Sequence, residues 1–514
     1  GQAALDANTS GDDNTALGRN ALSANTSADD NTAVGAAALE ANTTGTNNTA
    51  VGKDALQTTT TGSNNAALGT FALEANTTAS DNTALGYTAM LNNTEGFQNT
   101  AVGSNSLRTN TTGDNNVAVG YGALYNQTTA DNNTAVGRDA LKDNTTGTQN
   151  TAVGAYALDS NTTAGNNTAV GYAALDANTT GTENTAVGQT ALDANTTADH
   201  NTAIGSQALS GCTTGGSNTA VGRASMLNTT TGLNNVAVGY NSLYSNTTGY
   251  QNVAIGRDTL FANTTANNNV AVGYTALGAN TTGTSNVAVG YAAADAITTA
   301  SEITAVGYNA LTACTTGNSN TAIGRHALVA CTTGAQNTAV GEASGNSLTT
   351  GSNNLLLGKN AGLSSSPSGA ITTASNEICL GDNSITSIFC ADTTISSSDK
   401  RDKTDITNFT HGLDWINQMQ PVTYRWDRRS WYLDDPNGDI TSVTPDGSRK
   451  RQRINLGLLA QDVLEIETAD GYATNPDSQL IVNQTDDEKS YGIKYDRIVP
   501  VLINAVKELS AENA

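Results

Sequence analysis

The sequence predicts a mostly β protein: a parallel β-solenoid or β-roll shaft of 17-residue rungs, followed by a small α+β module that ends in a helix. Three observations carry this reading. A short motif returns every seventeenth residue across two thirds of the chain. Composition changes abruptly after it, since all three Trp and all six Pro fall at or beyond Pro367. Finally, of 514 residues 51 are Gly, only 5% are aromatic and 13% charged, against roughly 25% charged in an ordinary globular domain.

The motif Asn-Thr-Ala-Val-Gly places Gly at 18, 35, 52 and every seventeenth residue to Gly358, which makes 21 copies without an insertion or deletion. With its Asn as position 1, a typical copy runs from Asn167 to Glu183. Position 5 is always Gly, and position 4 is always Val, Leu or Ile; position 1 departs from Asn only at Ile303, and position 3 from Ala only at Leu356. A period that never drifts means stacked, equivalent units sharing one hydrogen-bond ladder. Asn, Thr and Gly are weak helix formers, and no 3.6-residue apolar spacing survives across a copy. Aligned aliphatic columns argue against the disorder that polar low-complexity tracts usually show. Alternation at positions 1–5, and again at Leu 9 and Ala 11, predicts two short strands and two corners per coil.

Substitutions between copies predict burial. Position 2 exchanges Thr151 for Val253 and position 4 stays aliphatic, so both are expected inside. Position 12 is usually Asn but also Cys212, Cys314, Cys331, Ile297 and Leu348, which predicts an inward Asn ladder whose stacked amides hydrogen-bond one another. Uniform smallness at positions 1, 3 and 5 predicts a face closely approached by another backbone, read as a subunit interface. Position 6 varies among Tyr240, Arg257, Tyr274, Arg325 and others; a solvated edge is the plainer reading, and an exposed Tyr/Arg stripe also suits glycans or another surface.

Charge excludes some partners. Lys and Arg total 23 against 46 Asp and Glu, a net charge of −23, so nucleic acid and anionic membrane surfaces are not expected. No apolar run is long enough to span a membrane. Gly1 occupies position 5 of a copy, so the chain is expected to be part of a longer fibre. Five Cys without a CxxC pair and three scattered His (His200, His326, His411) give no expectation of a metal or other cofactor; free thiols are expected.

The repeats resemble the heads of trimeric autotransporter adhesins, left-handed parallel β-rolls, over residues 1 to about 362. Residues 363–397 form a junction. From 398 to 514, GLDWINQMQPVTYRWD (412–427), INLGLLAQDVLEIE (454–467) and YGIKYDRIVPVLINAVKELSAEN (491–513) predict a strand at Val422, Tyr424 and Trp426, a helix ending near Glu467, and a final helix with Pro500 in its first turn. The stripe Ile498, Leu502, Ala505 and Leu509 on that helix suits either three helices packed together or its own domain.

These blocks strongly resemble the C-terminal intramolecular chaperone domain of phage tail spikes, tail fibres and endosialidases. The resemblance implies a homotrimer whose C-terminal domain sets register and then cuts itself off before the Ser of a Ser-Asp-x-Arg-x-Lys motif. Ser398, Asp399, Arg401 and Lys403 match that motif, which implies a scissile bond Ser397–Ser398 with Ser398 as nucleophile and Lys403 as base. The expected function is a trimeric structural fibre of a virion tail, meeting a host-cell receptor or glycan. A bacterial surface adhesin filament and an ice-binding solenoid using Thr at positions 13 and 14 are the alternatives.

Overall fold

The computed structural model describes residues 1–385, 403–433, 440–475, 478–484 and 490–514. Two compact units are present, Gly1–Ala300 and Ser301–Ala514.

In the first unit every rung contributes one three-residue strand at positions 2–4, from Thr15–Leu17 to Val287–Val289. Neighbouring rungs pair in parallel with a shift of one repeat, as in Thr168↔Thr185, Ala169↔Ala186 and Val170↔Val187. The expected second strand at positions 9 and 11 does not form. Instead the chain turns continuously, with left-handed backbone at positions 7, 9 and 17: φ is 50° at Ala173, 56° at Leu175 and 57° at Glu183. Two left-handed residues within three positions coil the chain too tightly for a strand, and they aim the adjacent Ala174 and Leu175 both inward, each 0% exposed. Alternation cannot anticipate two consecutive buried side chains.

The strand faces are the reverse of the sequence expectation. Ala169 and Asn167 are fully buried, while Thr168 and Val170 are half-exposed on the outside. The coil interior holds one large column, Leu at position 9, and only small residues fit opposite it. A size exchange in the second unit shows this. Position 9 is Gly345 and Gly362 in the last two copies, and Leu356 replaces Ala at position 3 between them. A Cβ on Gly345 would lie 2.7 Å from Leu328 and from Leu356, and one on Gly362 would lie 3.3 Å from Leu356. Leu356 fills the volume the missing leucines leave.

Gly at position 5 also has a different cause from the one expected. At Gly171 φ is 138°, and an added Cβ would stand 2.5 Å from the Gly188 carbonyl oxygen. A backbone does approach closely there, but it is the next rung of the same chain, not a second subunit.

The second unit carries strands Thr304–Val306, Thr321–Ile323, Thr338–Val340 and Leu355–Leu357, and then Ile378–Leu380, which pairs in parallel with Leu355–Leu357. The interval to this last strand is 23 residues instead of 17. Beyond it come α1 (Leu413–Ile416), α2 (Ala460–Ala469), α3 (Ile498–Glu512) and two antiparallel pairs, Val422–Tyr424 with Asn455–Gly457 and Val482–Gln484 with Tyr491–Ile493, the second of which packs on α2. The core gathers Trp415, Val463, Ile466, Val482, Ile498 and Val501. Glu467 is fully buried in α2. Its carboxylate accepts the backbone N–H groups of Leu480 at 3.2 Å, Val482 at 3.3 Å and Ile481, which removes the penalty of an unpaired buried charge and ties α2 to the strand that starts at Val482.

Candidate functional site

Two amide ladders run through the rungs. The position 12 column matches the expectation: Asn178 Nδ2 donates to Asn161 Oδ1 at 2.9 Å and to the Gly181 carbonyl at 2.9 Å. The position 1 column was missed because its face was read as external. Asn167 Nδ2 donates to the same Gly181 carbonyl at 2.9 Å, and Asn167 Oδ1 accepts the backbone N–H of Asn184 in the next rung, also at 2.9 Å. Near-invariance of Asn at position 1 was the signal for it, since only a side chain with both donor and acceptor does both jobs.

With core and ladders inside, the outer face of each strand presents positions 2 and 4. Thr, Val, Leu and Ile dominate these columns, and none of the 21 copies places a charge there. Leu85 is 41% exposed, Ile204 41% and Ile255 40%. Position 4 thus presents an exposed or half-exposed aliphatic side chain at rung after rung, the kind of repeated apolar exposure that marks an interaction surface.

Position 6 is exposed as expected, with Tyr172 at 53%. Of nine Lys and Arg in residues 1–397, seven stand in this column: Arg19, Lys53, Arg138, Arg223, Arg257, Arg325 and Lys359. The Arg223 guanidinium lies 5.6 Å from the Tyr240 ring centre, Arg257 lies 5.6 Å from Tyr240 and 5.7 Å from Tyr274, and Tyr274 stacks on Tyr291 at 5.2 Å. The ring faces of Tyr240 and Tyr274 are thus taken up by neighbours in the column, which leaves their edges and hydroxyls for solvent. At position 13 the Thr179 hydroxyl donates to the Thr196 carbonyl at 2.9 Å, so that column spends its hydroxyls on the ladder rather than on a surface lattice of water.

In the C-terminal module, α3 buries Ile498, Val501 and Ala505 and exposes Val499, Leu502, Ile503, Val506 and Leu509, each by 45% or more. The stripe expected to act as one unit is divided: Ile498 and Ala505 pack on the module, and Leu502 and Leu509 face outward. Among the described residues, His411, Asp414 and Asp470 bring three ligand-type atoms within 4.8 Å of one another. His411 Nδ1 is 2.6 Å from Asp414 and 3.6 Å from Asp470, and its ring stacks on Trp415, whose Nε1 donates to Asp470 at 2.5 Å. Partial desolvation would raise the Asp414 carboxyl, but hydrogen bonds from His411 and from the Gly412 and Trp415 backbone outweigh it and hold the group below its usual range. The arrangement is a hydrogen-bonded clasp joining α1 to the end of α2.

Of the residues matching the cleavage motif, Ser397, Ser398, Asp399 and Arg401 lie outside the described residues, as does Cys390. Lys403 is described and exposed. Cys212, Cys314, Cys331 and Cys379 are buried and form no disulfide; burial pushes the Cys212 thiol up to about 11, away from reactive thiolate.

One observation bears directly on the module. Residues 398–472 match the model of the family described as chaperone of endosialidase. The matched segment includes Lys403, the His411 clasp, Trp415 and α2, and α3 follows it. No curated protein and no solved structure matches the chain. The chain therefore carries a chaperone-of-endosialidase domain behind a repetitive β-solenoid, an arrangement that fits a structural fibre with a C-terminal chaperone.

Proposed function

We propose that the chain is a homotrimeric fibre of a virion tail, a tail fibre or tail spike shaft exposed outside the host cell, whose C-terminal domain brings three chains together and sets their register. The observation that carries this reading is the uncharged aliphatic stripe on the outer strand face. Burying it against two other copies removes from water the surface that a lone chain leaves exposed. The apolar outer face of α3 supplies the same kind of contact at the C-terminal end.

Register is the problem such a shaft must solve. Long stretches of near-identical rungs allow one chain to slide past another by one repeat with little penalty. Pairing between chains is also non-local and slow. A separately folding trimeric end, joined before the shaft zips, fixes the alignment from one side.

Self-cleavage follows the resemblance of Ser398 and Lys403 to the family motif. The Ser398 hydroxyl gives its proton to Lys403 as base and attacks the Ser397 carbonyl carbon. The C–N bond breaks as the departing Ser398 amine takes that proton back from Lys403, which leaves the Ser397 acyl group as an ester on Ser398 Oγ. Water then hydrolyses that ester, releasing the Ser397 carboxylate and regenerating the hydroxyl. Asp399 and Arg401 complete the motif. The step needs no cofactor.

Light scattering on the full chain should give three times 52.3 kDa; a folded monomer would overturn the reading. Ser398→Ala should leave trimers intact and abolish release of the 398–514 fragment, and continued release would remove Ser398 from the reaction. The host partner of the exposed Tyr/Arg column, a receptor or glycan, is to be sought by binding of purified trimers to host cell envelopes.

A further inference from the structure

We propose that four consecutive rungs, those whose position 2 is Val236, Val253, Val270 and Val287, form a register lock: an aliphatic band on the outer strand face that docks against the same band of a second copy of this chain. The inference rests on the trimer reading above and adds to it that the shaft carries alignment information of its own.

The band stands out against the repeat. Position 2 is Thr in fourteen of the 21 copies and Val in five, and four of those five are consecutive; the fifth, Val117, is isolated. Within the band position 4 is also β-branched, so both outward residues of every strand are aliphatic: Val-Ala-Val, Val-Ala-Ile, Val-Ala-Val and Val-Ala-Val. The strands pair in parallel without a break in register, and Val287, Val289 and Ile255 are 36–40% exposed. Position 2 returns to Thr at Thr219 before the band and at Thr304 after it.

The occupant is another copy because the band offers no charge or hydrogen-bonding side chain at positions 2 and 4 for a polar partner to complement. A parallel neighbour in register presents an identical aliphatic band. With four layers at about 4.8 Å spacing, a slip of one rung keeps three aliphatic layers facing and sets a valine layer against threonine hydroxyls at each end. Each further slip loses another layer. The rungs from Thr134 to Val187 all read Thr-Ala-Val, so a slip there changes nothing. The band makes registers distinguishable within the shaft.

The test replaces Val170, on the outward strand face but outside the band, with the photo-crosslinking residue p-benzoylphenylalanine in the full chain, with and without Val236→Thr, Val253→Thr, Val270→Thr and Val287→Thr together. Thr is already the common residue at position 2, so the variant keeps its rungs, which circular dichroism verifies. Covalent dimers are isolated from a denaturing gel and the linked peptides sequenced by mass spectrometry, which identifies the partner rung because the copies differ in sequence. The wild type should link to a single rung offset, and the variant should spread over offsets one repeat to either side. A trimeric variant with the wild-type offset would overturn the lock and leave the trimer reading standing, whereas a folded monomeric wild type would overturn both.

Discussion

At the scale of single residues, the two asparagine columns differ in what they can lose. Three buried position 12 oxygens, those of Asn42, Asn195 and Asn280, lack a hydrogen-bond partner. In each case the next rung carries Thr59, Cys212 or Ile297 where Asn would donate. The fold tolerates an orphaned amide oxygen. Losing Asn167 would instead remove the side-chain oxygen that accepts the buried backbone N–H of Asn184. Asn167→Leu should therefore destabilise by about 1–3 kcal/mol more than Asn178→Leu, read from denaturant midpoints, and should speed hydrogen exchange at Asn184. A second prediction concerns Asp159, whose Oδ1 is buried without a partner. Burial pushes its carboxyl from 3.8 to about 6, with Lys142 pulling back and Asp143, Asp176 and Asp139 adding repulsion. The unfolded chain releases this proton near 3.8 and the fold resists until about 6, so stability falls across that window and the loss is complete above it. Asp159→Asn should raise the melting midpoint at about pH 7.5, and the gain should vanish below 3.8.

At the scale of the strand, the question is which face does what. Ala169 points into the coil and Val170 away from it. Ala169→Asp should break its rung by placing an unpaired charge in the interior, seen as lost protection from hydrogen exchange in the neighbouring strands. Val170→Asp should leave the rung folded and weaken association, giving more monomer in sedimentation. Equal loss of folding in both variants would mean that the outward face is not outward. The sequence alone led to the opposite ranking, because an aliphatic column was read as core by its hydrophobicity and an alanine column as contact surface by its size.

For the whole molecule, assembly and stability are separable. The shaft's own hydrogen bonds run from rung to rung within one chain, so under the proposed assembly the finished shaft should not depend on the domain that aligns it. Deleting residues 398–514 should yield misregistered or aggregated chains, whereas removing the same segment after assembly should leave melting of the shaft unchanged. Native trimers from the truncated gene would show that the chaperone domain is not needed for alignment. A partial recovery of correct register in the truncated chain, lost again with the four Val→Thr substitutions, would apportion alignment between the domain and the Val236–Val289 band.

Repetition made much of this protein legible from sequence. An exact period of 17 forces equivalent rungs, and position 12 substitutions revealed an inward amide column because Cys, Ile and Leu do not suit a solvated corner. Pro500 and the apolar spacing placed the last helix, and separated blocks after residue 398 pointed to the chaperone family. What only the tertiary structure decided is which side of each strand is inside. A three-residue strand has two faces that alternate equally well, and the choice depends on the curvature of the coil. Left-handed residues at positions 7 and 9 bring Leu175 to the interior, and its bulk leaves room for Ala169 but not for Val170. The same closure turned the approach at Gly171 into a contact between rungs and left the aliphatic columns outside, where they are free to join one chain to another.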